Sequence, residues 1–211
     1  MPEPPDALDQ RDAPAVVPVP RLITARLVLR EWRPGDLEPF AALNADPEVT
    51  RFFPAPLSRA ESEAFVGRIV DHWRDDGFGL WAVERLEDGA FLGCTGLGVP
   101  TWAPGPETEV GWRFARSAWG HGYATEAGRA AVRFAFQALG LPEIVSYTTA
   151  ANQPSRRVME RLGMTRDPAG DFPHPRLAAD HPLRPHVTYR LTREEWVASE
   201  AGSARPVTPS R

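Results

Sequence analysis

The stretch Trp112–Ala131 reads W-R-F-A-R-S-A-W-G-H-G-Y-A-T-E-A-G-R-A-A. Its first residues continue Val110 and Gly111 as a strand-like run. Its middle is a glycine-rich turn, Trp119–Ala124, and the alanine-rich residues from Thr125 onward indicate a helix. The sequence therefore predicts a strand, a glycine turn and a helix start in that order.

A turn of this kind at the start of a helix can hold a phosphate group. The first N–H groups of a helix have no partner inside it, and the aligned peptide dipoles add partial positive charge there. Gly120 and Gly122 let the backbone approach an anion because they carry no Cβ atom. Two glycines also suit a tight connection that binds nothing, so the flanking residues must decide between the two interpretations.

Two known phosphate-binding patterns do not fit this turn. A Walker A loop has Lys followed by Ser or Thr after its last glycine, whereas Tyr123 and Ala124 stand here. A dinucleotide-binding fingerprint needs an acidic residue at the end of the next strand, but the strand Ile144–Thr149 leads into Ala150. A nucleotide-binding protein with another chemistry is therefore disfavoured.

The stretch resembles the acyl-coenzyme A loop of the GNAT superfamily of N-acetyltransferases. That loop has the pattern Gln/Arg-x-x-Gly-x-Gly/Ala at a strand–helix junction, and Trp119 is interpreted as a departure from it in the first place. The longer run W-G-H-G-Y-A-T-E-A, residues 119–127, is similar to the subgroup that includes the ribosomal-protein N-terminal acetyltransferases. The resemblance implies acetyl-CoA as the cosubstrate, with no metal, and contacts to it from Trp119, Gly120, His121, Gly122, Tyr123, Ala124 and Thr125.

A second motif downstream supports the first. Residues 152–164, N-Q-P-S-R-R-V-M-E-R-L-G-M, resemble the family's downstream cofactor element. In the family this helix follows a strand that splays away from the strand before the loop, and the gap accepts the pantetheine arm as an added strand. The resemblance implies further cofactor contacts from Trp112, Arg113, Phe114, Asn152, Ser155 and Arg157; Asn152 also suits a plain helix N-cap.

The order of the predicted elements, β-α-α-β-β-β-α-β-α-β-β, is that of a GNAT fold. We predict an α/β (α+β) protein with a mixed, mostly antiparallel twisted sheet, splayed between its fourth and fifth strands and flanked by helices. The domain occupies residues 21–197. Residues 1–20 are acidic and contain six prolines, which predicts a disordered leader, and residues 198–211 are predicted as a flexible tail.

Two further segments bear on the acceptor side of the site. A helix begins after Ser58 and ends at Gly77, and its predicted apolar face consists of Phe65, Ile69, Val70 and Trp73. The resemblance implies that this helix and the one before it wall the acceptor pocket; plain covering helices are the alternative. Residues 164–166 and 186–191 predict closing strands, joined by the loop 171–185.

Acetyl transfer to an amine requires a group that removes a proton from the ammonium form. Glu109 is our first candidate, because it lies on the strand that feeds the loop and shares a face with Gly111 and Arg113. A solvated carboxylate at a strand edge is the other interpretation. Glu107 is a weaker candidate, since Pro104-Gly105-Pro106 places it in or near a turn.

Ser155 is our candidate for assisting the departing thiolate. Many GNAT enzymes use a tyrosine further along this helix, but this chain has Met159 and Glu160 in that region. Ser155 lies in the first helical turn, where capping the helix or binding the pantetheine arm are alternative roles, and Tyr189 is a weak substitute. Arg156, like Arg157, suits either the 3′-phosphate of coenzyme A or an exposed helix position.

The histidines and the single cysteine give no pattern typical of a metal site. His174, His181 and His186 have spacings across a proline-rich loop that match no standard zinc motif. Cys94 lies in a strand-like apolar run and is therefore predicted to be buried. As the single cysteine of the sequence, it allows neither an internal disulfide nor a cysteine-based zinc site.

Composition excludes several classes of protein. The net charge of −4, from 24 basic and 28 acidic residues, gives no reason to expect nucleic acid as a partner. No apolar run approaches the roughly 20 residues of a membrane span, and the N-terminal residues do not form a secretory signal, so we expect a cytoplasmic protein without a membrane partner. The oligomeric state stays open, with a homodimer as one option.

The residues and the resemblance together predict a transferase of the acyltransferase class, an N-acetyltransferase. We expect direct transfer from acetyl-CoA to the primary amine of a small molecule or a protein N-terminus. The acceptor itself is not readable from the sequence. A non-catalytic module that senses or binds acyl-CoA on the same fold is the alternative function.

Overall fold

An eight-stranded sheet runs through the computed structural model, which describes residues 18–203. Residues 1–17 of the predicted leader and residues 204–211 of the predicted tail lie outside the described residues. The strands are β1 (Leu22–Ile23), β2 (Leu27–Arg30), β3 (Leu80–Arg85), β4 (Phe91–Gly98), β5 (Glu109–Phe114), β6 (Glu143–Thr149), β7 (Thr165–Pro173) and β8 (Pro185–Thr192). The helices are α1 (Leu37–Ala45), α2 (Pro47–Thr50), α3 (Arg59–Asp76), α4 (Tyr123–Arg133, continued by a π-helical turn over Phe134–Ala138), α5 (Gln153–Arg161) and α6 (Arg193–Ser203).

The strand order is β1-β2-β3-β4-β5-β6-β8-β7, and all neighbours are antiparallel except the parallel pair β5 and β6. β5 is in register with β4 along its whole length, but with β6 only at Glu109, opposite Val145. The splay was predicted between the fourth and fifth strands. These strands are β5 and β6 in the structure, because the predicted order did not include the short β1. The predicted α/β class, the mostly antiparallel sheet and the splay are therefore confirmed.

Alternate residues of β5 point to opposite sides of the sheet. Val110 and Phe114 are buried in the main core, which also receives α4 and α5. Glu109 and Arg113 belong to the other side, where α1 packs and a smaller core forms around Phe40. The acidic and basic side chains of β5 therefore share the face that α4 does not cover.

Cys94 is buried, as predicted, but one residue of the apolar face of α3 differs from expectation. Val70 is 50% exposed, whereas Ile69 and Trp73 on the same helix are buried. A step of one residue turns a helix by about 100°, which carries Val70 off the face that Ile69 presents to the core. The buried set of α3 includes Val66 instead.

The C-terminal third contains more regular structure than predicted. β7 extends to Pro173, because Phe172 and Pro173 pair with the start of β8, so the connecting loop is 174–184 rather than 171–185. α6 runs past the domain boundary predicted at residue 197. Its Trp196 is buried against Phe136, with ring centroids 5.4 Å apart.

A buried ion-pair network attaches the start of α1 to the sheet. The Arg30 guanidinium donates to both oxygens of Asp36, at 2.7 and 2.8 Å, and to Glu84 at 2.6 Å. Asp36 also accepts from the backbone N–H of Arg33 at 2.8 Å. Asp36 therefore fixes the start of α1 relative to β2.

We expect Asp36→Ala to lower the free energy of unfolding by about 3–5 kcal/mol, because it leaves the buried Arg30 charge without its bidentate partner. Urea denaturation followed by tryptophan fluorescence measures the change. Asp75→Ala, which removes an exposed partner of Arg74, is the control and should leave the midpoint unchanged. Equal small effects of the two substitutions would contradict this role for Asp36.

Candidate functional site

The backbone of β5 is open toward β6 where the two strands part. The hydrogen bond from Ala115 N to Leu92 O (2.9 Å) sets the phase of the ladder between β5 and β4. Because paired residues alternate along an antiparallel ladder, the N–H and C=O of Arg113 face β4, and those of Trp112 and Phe114 face the cleft. Of the three edge residues predicted from the sequence, Trp112 thus offers its N–H and C=O to a ligand and Phe114 offers its N–H, because the Phe114 carbonyl accepts from the Trp119 indole. Arg113 offers neither group.

Glu109 lies at the point where β5 and β6 separate. In a continued parallel ladder the Tyr147 N–H would reach a backbone carbonyl of β5, but it donates instead to Glu109 Oε1, at 3.4 Å. The side chain is partly buried, and burial raises the pKa of Glu109 to about 7, against the opposing effect of the Tyr147 N–H. A carboxyl group that ionises near neutral pH is suited to accept a proton during catalysis.

The weaker candidate for the base, Glu107, belongs to a different set of contacts. One of its oxygens lies 3.7 Å from Arg190, which also pairs with Glu143 at 2.7 Å and Asp167 at 3.2 Å. The other oxygen, Oε2, is buried and has no hydrogen-bond partner among the residues that the structure describes. Its ion pair therefore turns Glu107 toward β8 rather than toward the open edge of β5.

An aromatic cluster adjoins Glu109 through Tyr147. The rings of Trp102, Tyr147, Phe172, His174 and His186 pack together, with the Trp102 and His174 rings stacked at 4.9 Å and the two histidine rings 5.0 Å apart. Burial lowers the pKa of both His174 and His186, so the two imidazoles are mainly neutral at pH 7. β7, β8 and the loop between them therefore place the rings of Phe172, His186 and His174 near the candidate base.

His181, the third histidine of the predicted loop, is separate from this pair. Its Nδ1 accepts the Leu183 N–H at 3.1 Å. Across residues 18–203, no group of three or more His, Cys, Asp and Glu side chains is arranged to hold a metal ion. Over the same residues, no helix combines the length and the apolar character that a membrane crossing requires.

The glycine turn has the geometry expected of an anion cradle. Gly120 and Gly122 adopt φ angles of 80° and 79°, in the left-handed region that residues with a Cβ rarely occupy. Glu126 makes the first hydrogen bond of α4, to Gly122 O at 3.0 Å. The N–H groups of residues 123–125 precede that bond and have no partner inside the helix, while residues 120–122 are exposed.

An anchor that sequence reasoning missed holds this helix start in place. Glu126 accepts from Thr24 Oγ1 at 2.7 Å and from Arg26 Nε at 2.7 Å. The Arg26 guanidinium also lies over the Tyr123 ring, 4.7 Å from its centroid. These partners are about 100 positions apart in the chain, so no local pattern could have revealed them.

Trp119 and His121 are exposed, but each contacts a neighbouring group of the protein. The Trp119 indole donates to Phe114 O at 3.0 Å, which closes the end of β5, and the His121 ring stacks on Tyr123 at 5.4 Å. Counting back three residues from Gly120, the first position of the Gln/Arg-x-x-Gly-x-Gly pattern falls on the exposed Ser117, so assigning it to Trp119 was an error of register. The chain therefore lacks the long polar side chain of that position.

The start of α5 is tied to the end of β6. Asn152 caps the helix by accepting from Ser155 N at 3.3 Å, and its amide donates to Thr148 Oγ1 at 2.9 Å. The Ser155 hydroxyl has no hydrogen-bond partner among the described residues and is partly exposed. Arg156 is held by Tyr189 Oη and Ala150 O, which leaves the exposed Arg157 as the freer of the two arginines.

Tyr189 is not placed to serve as a proton donor in the cleft. It is 2% exposed, and its hydroxyl donates to Glu160 Oε1 at 3.2 Å besides accepting from Arg156. The structure therefore brings three sets of predicted residues around one cleft. Glu109, Trp112 and Phe114 lie on one side, the glycine turn at one end, and Asn152 with Ser155 beside the end of β6.

A family model and a known protein both match most of this chain. A family model described as an acetyltransferase (GNAT) domain matches residues 26–165. The chain is 32% identical over 200 residues to FsC-acetyl coenzyme A-N(2)-transacetylase from Aspergillus fumigatus, covering 87% of this chain and 81% of that protein.

Solved structures share the fold. An acetyltransferase from Agrobacterium tumefaciens superposes with a TM-score of 0.68 at 29% identity, covering 82% of this chain and 94% of that one. Spermidine N-acetyltransferase from Vibrio cholerae, determined with CoA and spermine, gives a TM-score of 0.65 at 18% identity, covering 82% and 99%.

The raised pKa of Glu109 predicts how stability depends on pH. The fold favours the protonated carboxyl, so its contribution is fully present below the ordinary pKa of 4.5 and is lost as the pH rises through about 7. Glu109→Gln removes the titrating group. We expect the melting temperature of this variant, relative to wild type, to increase between pH 5 and 7.5 and then level off in scanning calorimetry. A difference independent of pH would contradict the assigned pKa.

Proposed function

Because the chain belongs to the GNAT family of acetyltransferases, we propose that it moves an acetyl group from acetyl-CoA to a primary amine by direct attack. The observation that carries the proposal is the parting of β5 from β6 immediately after Glu109. One geometric feature thereby supplies both an open backbone edge for the acyl donor and a proton acceptor beside it.

The residues of the cleft fit acetyl-CoA. The backbone N–H and C=O of Trp112 and the N–H of Phe114 suit the amides of the pantetheine arm, which would pair with β5 as an added strand. The backbone N–H groups of the Gly120–Thr125 turn suit the pyrophosphate, since those of residues 123–125 have no partner inside the helix and lie at the positive end of α4. When bound, acetyl-CoA supplies the activated acyl group as a thioester.

Glu109 is proposed to take the proton from the incoming ammonium group. A free α-amine has a pKa near 8 and a lysine side chain near 10, so the acceptor arrives mostly protonated. A carboxylate of pKa about 7 accepts that proton without being permanently protonated at neutral pH. The Trp112 N–H faces the cleft and is available to donate to the carbonyl oxygen as negative charge develops on it.

Ser155 is proposed to assist the departing sulfur. Ser155 is the third residue of α5, and its backbone N–H donates to the Asn152 cap. Its hydroxyl has no hydrogen-bond partner among the described residues. A hydroxyl in that position can donate a hydrogen bond to the thiolate as it leaves. Asn152 itself is a positioning residue, because its contacts to Thr148 and Ser155 hold the end of β6 and the start of α5 together.

The acceptor is proposed to be the primary amine of a small molecule or a protein N-terminus. The names of the relatives mention amines of both kinds, a spermidine acetyltransferase and a ribosomal-protein-S5-alanine acetyltransferase among them, but these lie at 18% and 15% identity and bear on the fold alone. An acetylation screen over a panel of amines, with thiol release as the readout, identifies the class. Acetyl-CoA binding without turnover of any amine would favour the acyl-CoA sensor.

With an acceptor from the screen in hand, we expect Glu109→Gln to lower kcat/KM by about 10²–10⁴-fold, because general base catalysis contributes that much. The wild-type profile of kcat/KM should rise with pH through about 7, since Glu109 must be ionised to act. The kcat/KM of the variant should lack this rise near pH 7 and keep only the rise that follows deprotonation of the amine. Glu107→Gln is the matched control; an equal loss in both variants would contradict the assignment.

Acetyl-CoA at about 100 times its dissociation constant should stabilise the protein by about 2.7 kcal/mol, visible as a rise in melting temperature. Gly122→Ala forces a residue with a Cβ into the left-handed backbone region, which should distort the turn. We expect the variant to bind CoA at least tenfold more weakly. Its binding of pantetheine, which lacks the phosphates, should be unchanged. Gly67→Ala, in open space on α3, is the control. Absence of any shift at millimolar acetyl-CoA would reject the proposed function.

A further inference from the structure

Arg113 lies on the same face of β5 as Glu109 and makes an unusual set of contacts. Its Nη1 donates to Asn44 Oδ1 at 2.5 Å, and its guanidinium lies over the Phe53 ring at 4.0 Å and near the Phe65 ring at 5.5 Å. These partners come from α1, α3 and the segment between α2 and α3. The guanidinium is therefore held in a fixed position by neutral groups.

No carboxylate pairs with this cation within residues 18–203. The buried Arg30 differs from the partly buried Arg113, because Arg30 binds both Asp36 and Glu84. A buried charge without an opposite charge is costly, and burial here lowers the pKa of Arg113. The planar, weakly hydrated guanidinium is well suited to bind a carboxylate from outside the chain.

The position of Arg113 relative to Glu109 connects this unpaired charge to the reaction. The two residues are four positions apart on one strand face, which corresponds to about 13 Å between Cα atoms, and an arginine side chain spans roughly half of that distance. A molecule with its amine at Glu109 thus has Arg113 within reach along the face of β5 opposite α4, on which α1 packs. The amide cradle for the cosubstrate phosphates belongs to α4, on the opposite face of β5.

We propose that Arg113 binds a carboxylate of the acceptor, so that the substrate class is an amine that also carries a carboxylate, such as an amino acid. This inference rests on the proposed acetyl transfer and adds the chemistry of its acceptor. Asn44 and Phe53 act as positioning residues, since Asn44 Oδ1 accepts from Nη1 and the Phe53 ring lies against the guanidinium plane. The other nitrogens have no hydrogen-bond partner among the described residues and can contact a carboxylate.

The test compares each carboxylate-bearing amine with its own carboxamide, which keeps the amine and removes only the charge. We expect wild-type protein to have a KM at least tenfold lower for the acid than for the amide. Arg113→Gln should raise the KM of the acid at least tenfold, leave that of the amide unchanged, and keep kcat within about twofold. Arg113→Lys, which retains the charge without the planar fork, should fall between them.

The matched control is Arg68→Gln, which removes an exposed arginine that also lies over Phe65, at 5.5 Å. It should leave both substrates unaffected. The proposal is overturned if wild-type protein acetylates acids and amides equally well, a comparison that needs no folded variant, or if Arg113→Gln impairs both to the same extent. Turnover of amides alone would overturn this inference and leave the acetyltransferase function intact, whereas no turnover of any amine would remove both.

Discussion

The site depends on one structural feature, the separation of β5 from β6. The two strands begin as hydrogen-bonded neighbours and then part. They register at a single pair, Glu109 with Val145, and beyond it the backbone polar groups of β5 face a cleft. Buried backbone groups are almost always satisfied, and a row of them left open requires water or a ligand. A ligand that presents amides along an extended chain satisfies them as a further strand would, which is why the opening suits a pantetheine arm.

The elements around the opening each contribute to keeping it in place. Asn152 ties the end of β6 to α5, while Glu126 ties the start of α4 to the segment before β2. The Glu109 carboxylate accepts the Tyr147 N–H that the lost ladder would have used. Removing that residue from bulk water raises its pKa into the range where a carboxyl serves as a base, so the distortion that creates the binding cleft also creates the catalytic group.

Much of this arrangement was predictable from the sequence because its causes are local. The glycine turn, the Asn152 cap and the order of strands and helices rest on residues adjacent in the chain, and Gly120 and Gly122 have the backbone angles that their lack of a Cβ suggested. The Arg26–Glu126 anchor and the contact of Arg113 with the Phe53 ring were not predictable, because they join residues far apart in the chain. The error at Trp119 arose from the register of a short motif, and only the indole contact with Phe114 O explains that residue.

The most direct measurement of the central claim is hydrogen–deuterium exchange, resolved to single amides by NMR, with and without acetyl-CoA. Trp112 and Phe114 should become protected from exchange when acetyl-CoA binds, together with residues 123–125 at the start of α4. The Arg113 amide, already paired with β4, should be protected in both states. Protection confined to other strands, or an Arg113 amide that gains protection while Trp112 does not, would contradict an acyl donor bound along the open edge of β5.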